Sequence, residues 1–201
     1  MKSDGADVTD EKDERIPPRA RILAAAADLF YRQGIRAVGV EAIAEAARTN
    51  KMTLYRHFGS KDDLVAEYLR GSAAAADACW ERFARGHPGD APAQLRAWLA
   101  EMAAHLSAGD ARGCPLVNAA IELPDRDHPA RRVIEAHKNR QRVRLTELCR
   151  AAGLSEPELV ADELNLIIEG ARVTAQSAGA AGLEARLLRM GEAMIARNAR
   201  S

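Results

Sequence analysis

The chain is poor in aromatic residues and carries no net charge. Phe, Tyr and Trp make up 4% of its 201 residues, so its core must be largely aliphatic. Lys plus Arg and Asp plus Glu each number 29, which removes the overall basic excess usual in a nucleic-acid binder. No apolar run approaches the roughly 20 residues that span a bilayer. The N-terminus is acidic rather than a basic-plus-apolar leader, so no membrane partner and a cytoplasmic location are expected. Cys79, Cys114 and Cys149 show no Cys-x-x-Cys pattern, and His-x-x-x-His is missing too. Neither a metal site nor a cofactor is expected.

What is present is helix. Ala, Leu, Arg and Glu recur at helical spacing through an apolar content of 47%, with almost no Val/Ile/Thr alternation. This predicts an all-α protein of about nine helices. The zero net charge also hides an asymmetry. Residues 1–14 carry two Lys and six acidic residues, whereas residues 15–70 carry ten Lys/Arg and six acidic residues. Basic charge therefore gathers on one segment, as the footprint of a nucleic-acid partner should. The division expected is an acidic disordered tail over 1–15, a three-helix DNA-binding unit over 16–62, and a helical ligand-binding and dimerisation domain over 63–201.

The second unit holds the pattern that decides its function. A helix opening at Pro17-Pro18 places Ile22, Ala26, Leu29 and Phe30 on one stripe and ends at Gly34. A second, capped by Gly39, turns Val40, Ile43, Ala44 and Ala47 inward. After a three-residue turn, Asn50 caps a third short helix. Ser60 and Asp63 then form a capping-box-like start to a long fourth helix. A helix of about six residues cannot hold itself together in water. Leu54 and Phe58 must pack against its neighbours, which fixes the opposite face outward. That face offers Lys51, Thr53, Tyr55, Arg56 and His57, the arrangement by which a helix enters a DNA groove.

The run from Arg21 to Phe30, Gly34, Ile43-Ala44 and the segment Thr53-Leu54-Tyr55-Arg56-His57-Phe58-Gly59-Ser60-Lys61-Asp62-Asp63-Leu64 resembles the DNA-binding domain of TetR-family transcriptional regulators. The likeness covers about a quarter of the chain, and the helical remainder resembles that family's effector and dimerisation domain more loosely. It implies a major-groove position for the third helix. Tyr55 and Lys61 would lie on phosphates, and Lys51, Thr53 and His57 near bases. Arg48, Asn50, Met52 and Arg56 complete the candidate DNA-binding set. Two residues depart from the family pattern. Arg48 stands where glycine is usual in the turn, at a conformational cost but with one more charge for a phosphate. Met52 replaces a small residue. The resemblance further implies a homodimeric repressor released from a palindromic operator by a small-molecule effector.

The remaining helices carry the candidate effector site. On the helix after Pro129, the inward stripe Ile134, His137 or Lys138, Gln141, Leu145 and Leu148 is apolar but interrupted by polar groups. Such groups need partners, from a ligand or from the surrounding core. Trp80, Phe83, Trp98, Met102, His105 and Asn118 lie on neighbouring helices and could complete a pocket with His137 and Gln141. Cys114, before Pro115 at a helix start and close to Arg112, reads either as a buried structural thiol or as a sensor of oxidants and electrophiles.

The last two helices are apolar on two sides. Leu159, Leu166, Gly170, Val173 and Ser177, with Leu187, Gly191, Met194 and Ile195, could form a four-helix bundle with a second copy. Burial within one subunit is the alternative. A rival enzymatic reading rests on Glu122, Asp125, Asp127 and His128, which fall in a Pro-rich loop and are better explained as a solvated turn. A helical interaction module, the third reading, leaves the basic face without a role.

Overall fold

A computed structural model describes residues 16–107 and 112–199. The acidic tail, and most of the loop expected before Gly113, lie outside the described residues. Nine helices are present among those described: α1 Pro18–Gln33, α2 Val40–Ala46, α3 Lys51–Phe58, α4 Lys61–Gly86, α5 Ala91–Ser107, α6 Pro115–Glu122, α7 Pro129–Ala151, α8 Pro157–Ala178 and α9 Leu183–Asn198. No described helix is long and apolar enough to cross a membrane.

The local signals work as their chemistry requires. The Asn50 side chain accepts from the Thr53 backbone N–H at 2.9 Å, closing the first turn of α3. Ser60 Oγ accepts from Asp63 N–H at 3.0 Å and donates to the Asp63 carboxylate at 2.6 Å. Gly34 ends α1 at φ 91°, a conformation that costs glycine little.

Two cores run along the molecule. The first joins Ile22, Ala26, Phe30, Ile43, Leu54 and Phe58 of α1–α3 to Leu64, Tyr68 and Leu69 of α4. It continues into Leu116, Ala119 and Leu123 at α6 and Ala130 and Ile134 of α7. The second packs Phe83, Leu95, Trp98 and Leu99 against Leu145, Leu164, Ile168, Leu187 and Ile195. Helix α4 belongs to both. Polar bolts tie the units: Asp77 of α4 pairs with Arg140 and Arg144 of α7.

The carboxylate-rich turn before α7 is a cap. Asp125 Oδ1 accepts from Asp127 N–H, and His128 Nδ1 accepts from Ala130 N–H at 3.1 Å. The other ring nitrogen, Nε2, must then carry the proton, and it lies 3.3 Å from Asp62 at the start of α4. Glu122 stands apart, accepting from Arg36 N–H at 3.0 Å. These four residues do not converge on a reacting centre.

Candidate functional site

The turn between α2 and α3 closes as a Schellman motif. Thr49 N–H donates to Ala44 O and Arg48 N–H to Glu45 O, both at 2.9 Å. Its left-handed position is Arg48 at φ 49°, the one described non-glycine residue with positive φ. An L side chain there costs about 1–2 kcal/mol. Arg21 of α1 braces the same turn, its Nε donating to Ala47 O at 3.2 Å. The departure from glycine is thus accommodated without loss of the turn.

Beyond it, Leu54 and Phe58 are buried, and Arg19 lies over the Phe58 ring at 5.0 Å. The outward face carries Lys51, Met52, Tyr55 and Arg56, with Thr53 and His57 half-buried beside them. Met52 is 80% exposed, an unusual position for so apolar a side chain. Lys51 pairs with Glu41 at 2.7 Å and sits over the Tyr55 ring. Any phosphate or base it meets must compete with that carboxylate.

Lys61, expected near a phosphate, is partly buried. Its ammonium turns inward, donating to Ile35 O at 2.7 Å, and lies 6.0 Å from the centre of the Phe30 ring. Burial there pulls its pKa below the usual lysine value. It ties the α1–α2 loop to α4.

The second site is a cavity of about 510 Å³ between α4, α5, α6, α7 and α8. Trp80, Phe83, Trp98, Met102, His137 and Gln141 all line it, as does the largely exposed His105 at its edge. Trp80 and Trp98 stack at 5.8 Å. Asn118 does not line it; its amide donates to Arg112 O at 2.6 Å, beside a smaller neighbouring pocket. Lining residues that periodicity did not single out are Cys79, Glu101, Arg82 and Arg172.

His137 is 4% exposed and its Nδ1 has no hydrogen-bond partner among the described residues. Burial lowers its pKa below the usual 6.5, with Lys138, Arg140 and Arg144 adding to the shift and Asp77 opposing it. Above pH 6.5 the ring is neutral in folded and unfolded chains alike. Below it the unfolded chain takes the proton first, so stability falls with pH until the folded-state pKa is passed. His137→Phe is expected to flatten that decline in melting curves taken from about pH 7 to about pH 5. Parallel curves for wild type and variant would remove His137 as its cause.

Comparison with known proteins now bears on this geometry. The family described as "Bacterial regulatory proteins, tetR family" matches residues 22–68. A TetR-family transcriptional regulator from Streptomyces coelicolor superposes with TM-score 0.86 at 29% identity, over 91% of this chain and 96% of that one. A TetR-type regulator from Streptomyces avermitilis is 31% identical, with TM-score 0.70, over 88% of this chain and 99% of that one. The chain belongs to the TetR family of transcriptional regulators. The HTH-type transcriptional repressor KstR2 of Rhodococcus jostii is 46% identical over 66 residues, 33% of this chain and 31% of the repressor. The match thus spans about a third of that curated relative.

The segment just before α6 is tied to the end of α1 through Arg112. Arg112 donates to Tyr31 Oη through its N–H at 2.8 Å, and its guanidinium to the carbonyls of Tyr31 and Arg32 at the end of α1. That guanidinium is therefore committed to backbone oxygens. Cys114, two residues on, is half-buried, caps α6 without a side-chain hydrogen bond and lines the cavity.

The two-sided helices also divide differently from expectation. Leu159, Leu166, Gly170, Val173 and Ser177 of α8 are exposed, with Leu166 69% and Val173 56% accessible. In α9, Leu187, Gly191 and Ile195 are instead buried in this regulator's own second core, and Met194 is half-buried. Gly191 lies against Leu99 of α5 in the same chain. Met190, about half exposed, is the large apolar residue α9 turns outward.

Proposed function

We propose that this TetR-family protein is a homodimeric transcriptional repressor that binds a palindromic operator through α3 and is released by a small molecule held in the cavity. The observation carrying this is the division within one chain. Leu54 and Phe58 fix the outward face of a short capped helix, while a part-polar cavity lies in the other half. We assign DNA contact to Arg48, Asn50, Lys51, Met52, Thr53, Tyr55, Arg56 and His57. Residues 16–62 supply the reading unit and 63–201 the effector and dimer functions, with α4 shared between them.

Two reading heads would meet half-sites about one DNA turn apart, near 34 Å. Footprinting on the DNA upstream of the protein's own gene tests this; protection without two symmetric half-sites contradicts it. Tyr55→Ala is expected to weaken operator binding roughly tenfold in a gel shift, one phosphate or base contact being worth about 1–3 kcal/mol. Unchanged affinity would move the reading face elsewhere.

The exposed stripe of α8 supports self-association, since large apolar side chains at helical spacing need a cover. Leu166→Glu is expected to convert dimer to monomer in sedimentation equilibrium. A dimer of wild-type strength in that variant would place the interface on another surface.

A further inference from the structure

We infer that the cavity takes a singly charged organic anion with a planar, apolar body, its acid group held by Arg172; the inference rests on the reading of this cavity as the effector site. Arg172 of α8 lines the cavity wall with its side chain largely buried. Its Nη1 donates to Glu169 Oε1 at 2.9 Å, an oxygen that also accepts from Lys138 Nζ at 2.6 Å. Two cations thus share one carboxylate, leaving an excess positive charge in that wall. Nη2, meanwhile, has as its acceptor the thioether sulfur of Met102 at 3.4 Å. A thioether is a weak acceptor, and a guanidinium N–H pointed at one retains most of its capacity for an oxygen. A carboxylate arriving there gains a charge-assisted bond in a partly desolvated setting, where such bonds are strongest. Glu169 does not line the cavity and continues to anchor Nη1.

The opposite charge is already matched. Glu101, the one acidic residue of the lining, pairs with Arg82 at 3.4 Å and takes the Cys79 thiol at 3.8 Å. A cationic ligand would have to displace that arginine. The rest of the lining suits a flat apolar body: Trp80 over Trp98, Phe83 edge-on to Trp80, with Met102 and Leu106. A body of this kind excludes water around the acid group, which makes the guanidinium contact more selective.

The test uses the protein's own fluorescence. Its two tryptophans, Trp80 and Trp98, both line the cavity, so tryptophan emission reports occupancy directly. Three probes share one apolar body: 4-phenylbutyrate, 4-phenylbutanamide and (3-phenylpropyl)trimethylammonium. The carboxylate is expected to bind at least about tenfold more tightly than the amide, as a charge-assisted hydrogen bond dictates. Arg172→Gln should cost the carboxylate at least tenfold more than it costs the amide, and Arg172→Lys should restore part of the difference. The wild-type ranking decides the matter even if Arg172→Gln fails to fold. An amide or trimethylammonium probe binding as well as the carboxylate overturns the anion assignment while leaving the cavity as an effector site. No response to any probe at millimolar concentration overturns both.

Discussion

Leu54→Ala is expected to abolish DNA binding while the helices of the second core stay folded. Leu54 is fully buried in the first core. Truncating such a leucine costs about 2–5 kcal/mol, made up of lost transfer energy and the cavity left behind. A domain's whole stability is about 5–15 kcal/mol, and α3, with eight residues, has no helical stability of its own to fall back on. Hydrogen exchange should show amides of α2 and α3 losing protection while those of α8 and α9, on the second core, keep theirs. Protection lost evenly across both halves would mean that the two cores unfold as one unit. Retained DNA binding would mean that α3 is held by something other than its buried side chains.

The second large effect lies at Gly191. Glycine-to-alanine changes inside a helix ordinarily add about 0.5–1 kcal/mol, because glycine is the more costly residue to order. Here a Cβ would fall 2.4 Å from Leu99 Cδ2 and 2.8 Å from Cδ1. Leu99 is itself fully buried, so moving its methyl groups aside means displacing their neighbours in the second core. Overpacking of this kind costs about 1–3 kcal/mol, so the clash outweighs the helix-forming gain. Gly191→Ala should therefore lower the melting temperature, and Gly191→Val should lower it further. The self-association proposed above should change only through loss of folded protein. A stabilised Gly191→Ala would show that α5 and α9 are free to part.

The sequence carried the reading head well because its signals are local. Asn50, Ser60 and Gly34 act within four residues of themselves, and the Leu54–Phe58 stripe needs no distant partner to be recognised. The positive φ of Arg48 was legible only through the resemblance, which places glycine at that turn position. Less was legible where the partner is remote in the chain. Lys61 sits at a helix start with no sign that the Ile35 carbonyl approaches it across 26 residues. Two apolar sides on α9 say that two partners exist, not whether one is α5 or a second copy. Asn118, on α6, turns toward the Arg112 carbonyl rather than into the cavity, a distinction only the path of the backbone supplies. Arg172 had one available signal, a cation beside the buried residue Ala171 on an otherwise apolar stretch of α8.

The first core passes from α1–α3 through the start of α4 into Leu116, Ala119 and Ile134. The reading head is therefore not a detachable module. A chimera joined at residue 62 would leave Phe30 and Leu54 facing a foreign helix in place of Tyr68 and Leu69. One joined after α4 would still lack the strap of α6. Transplanting this DNA specificity onto another regulator means carrying that strap along, or redesigning the surface it covers.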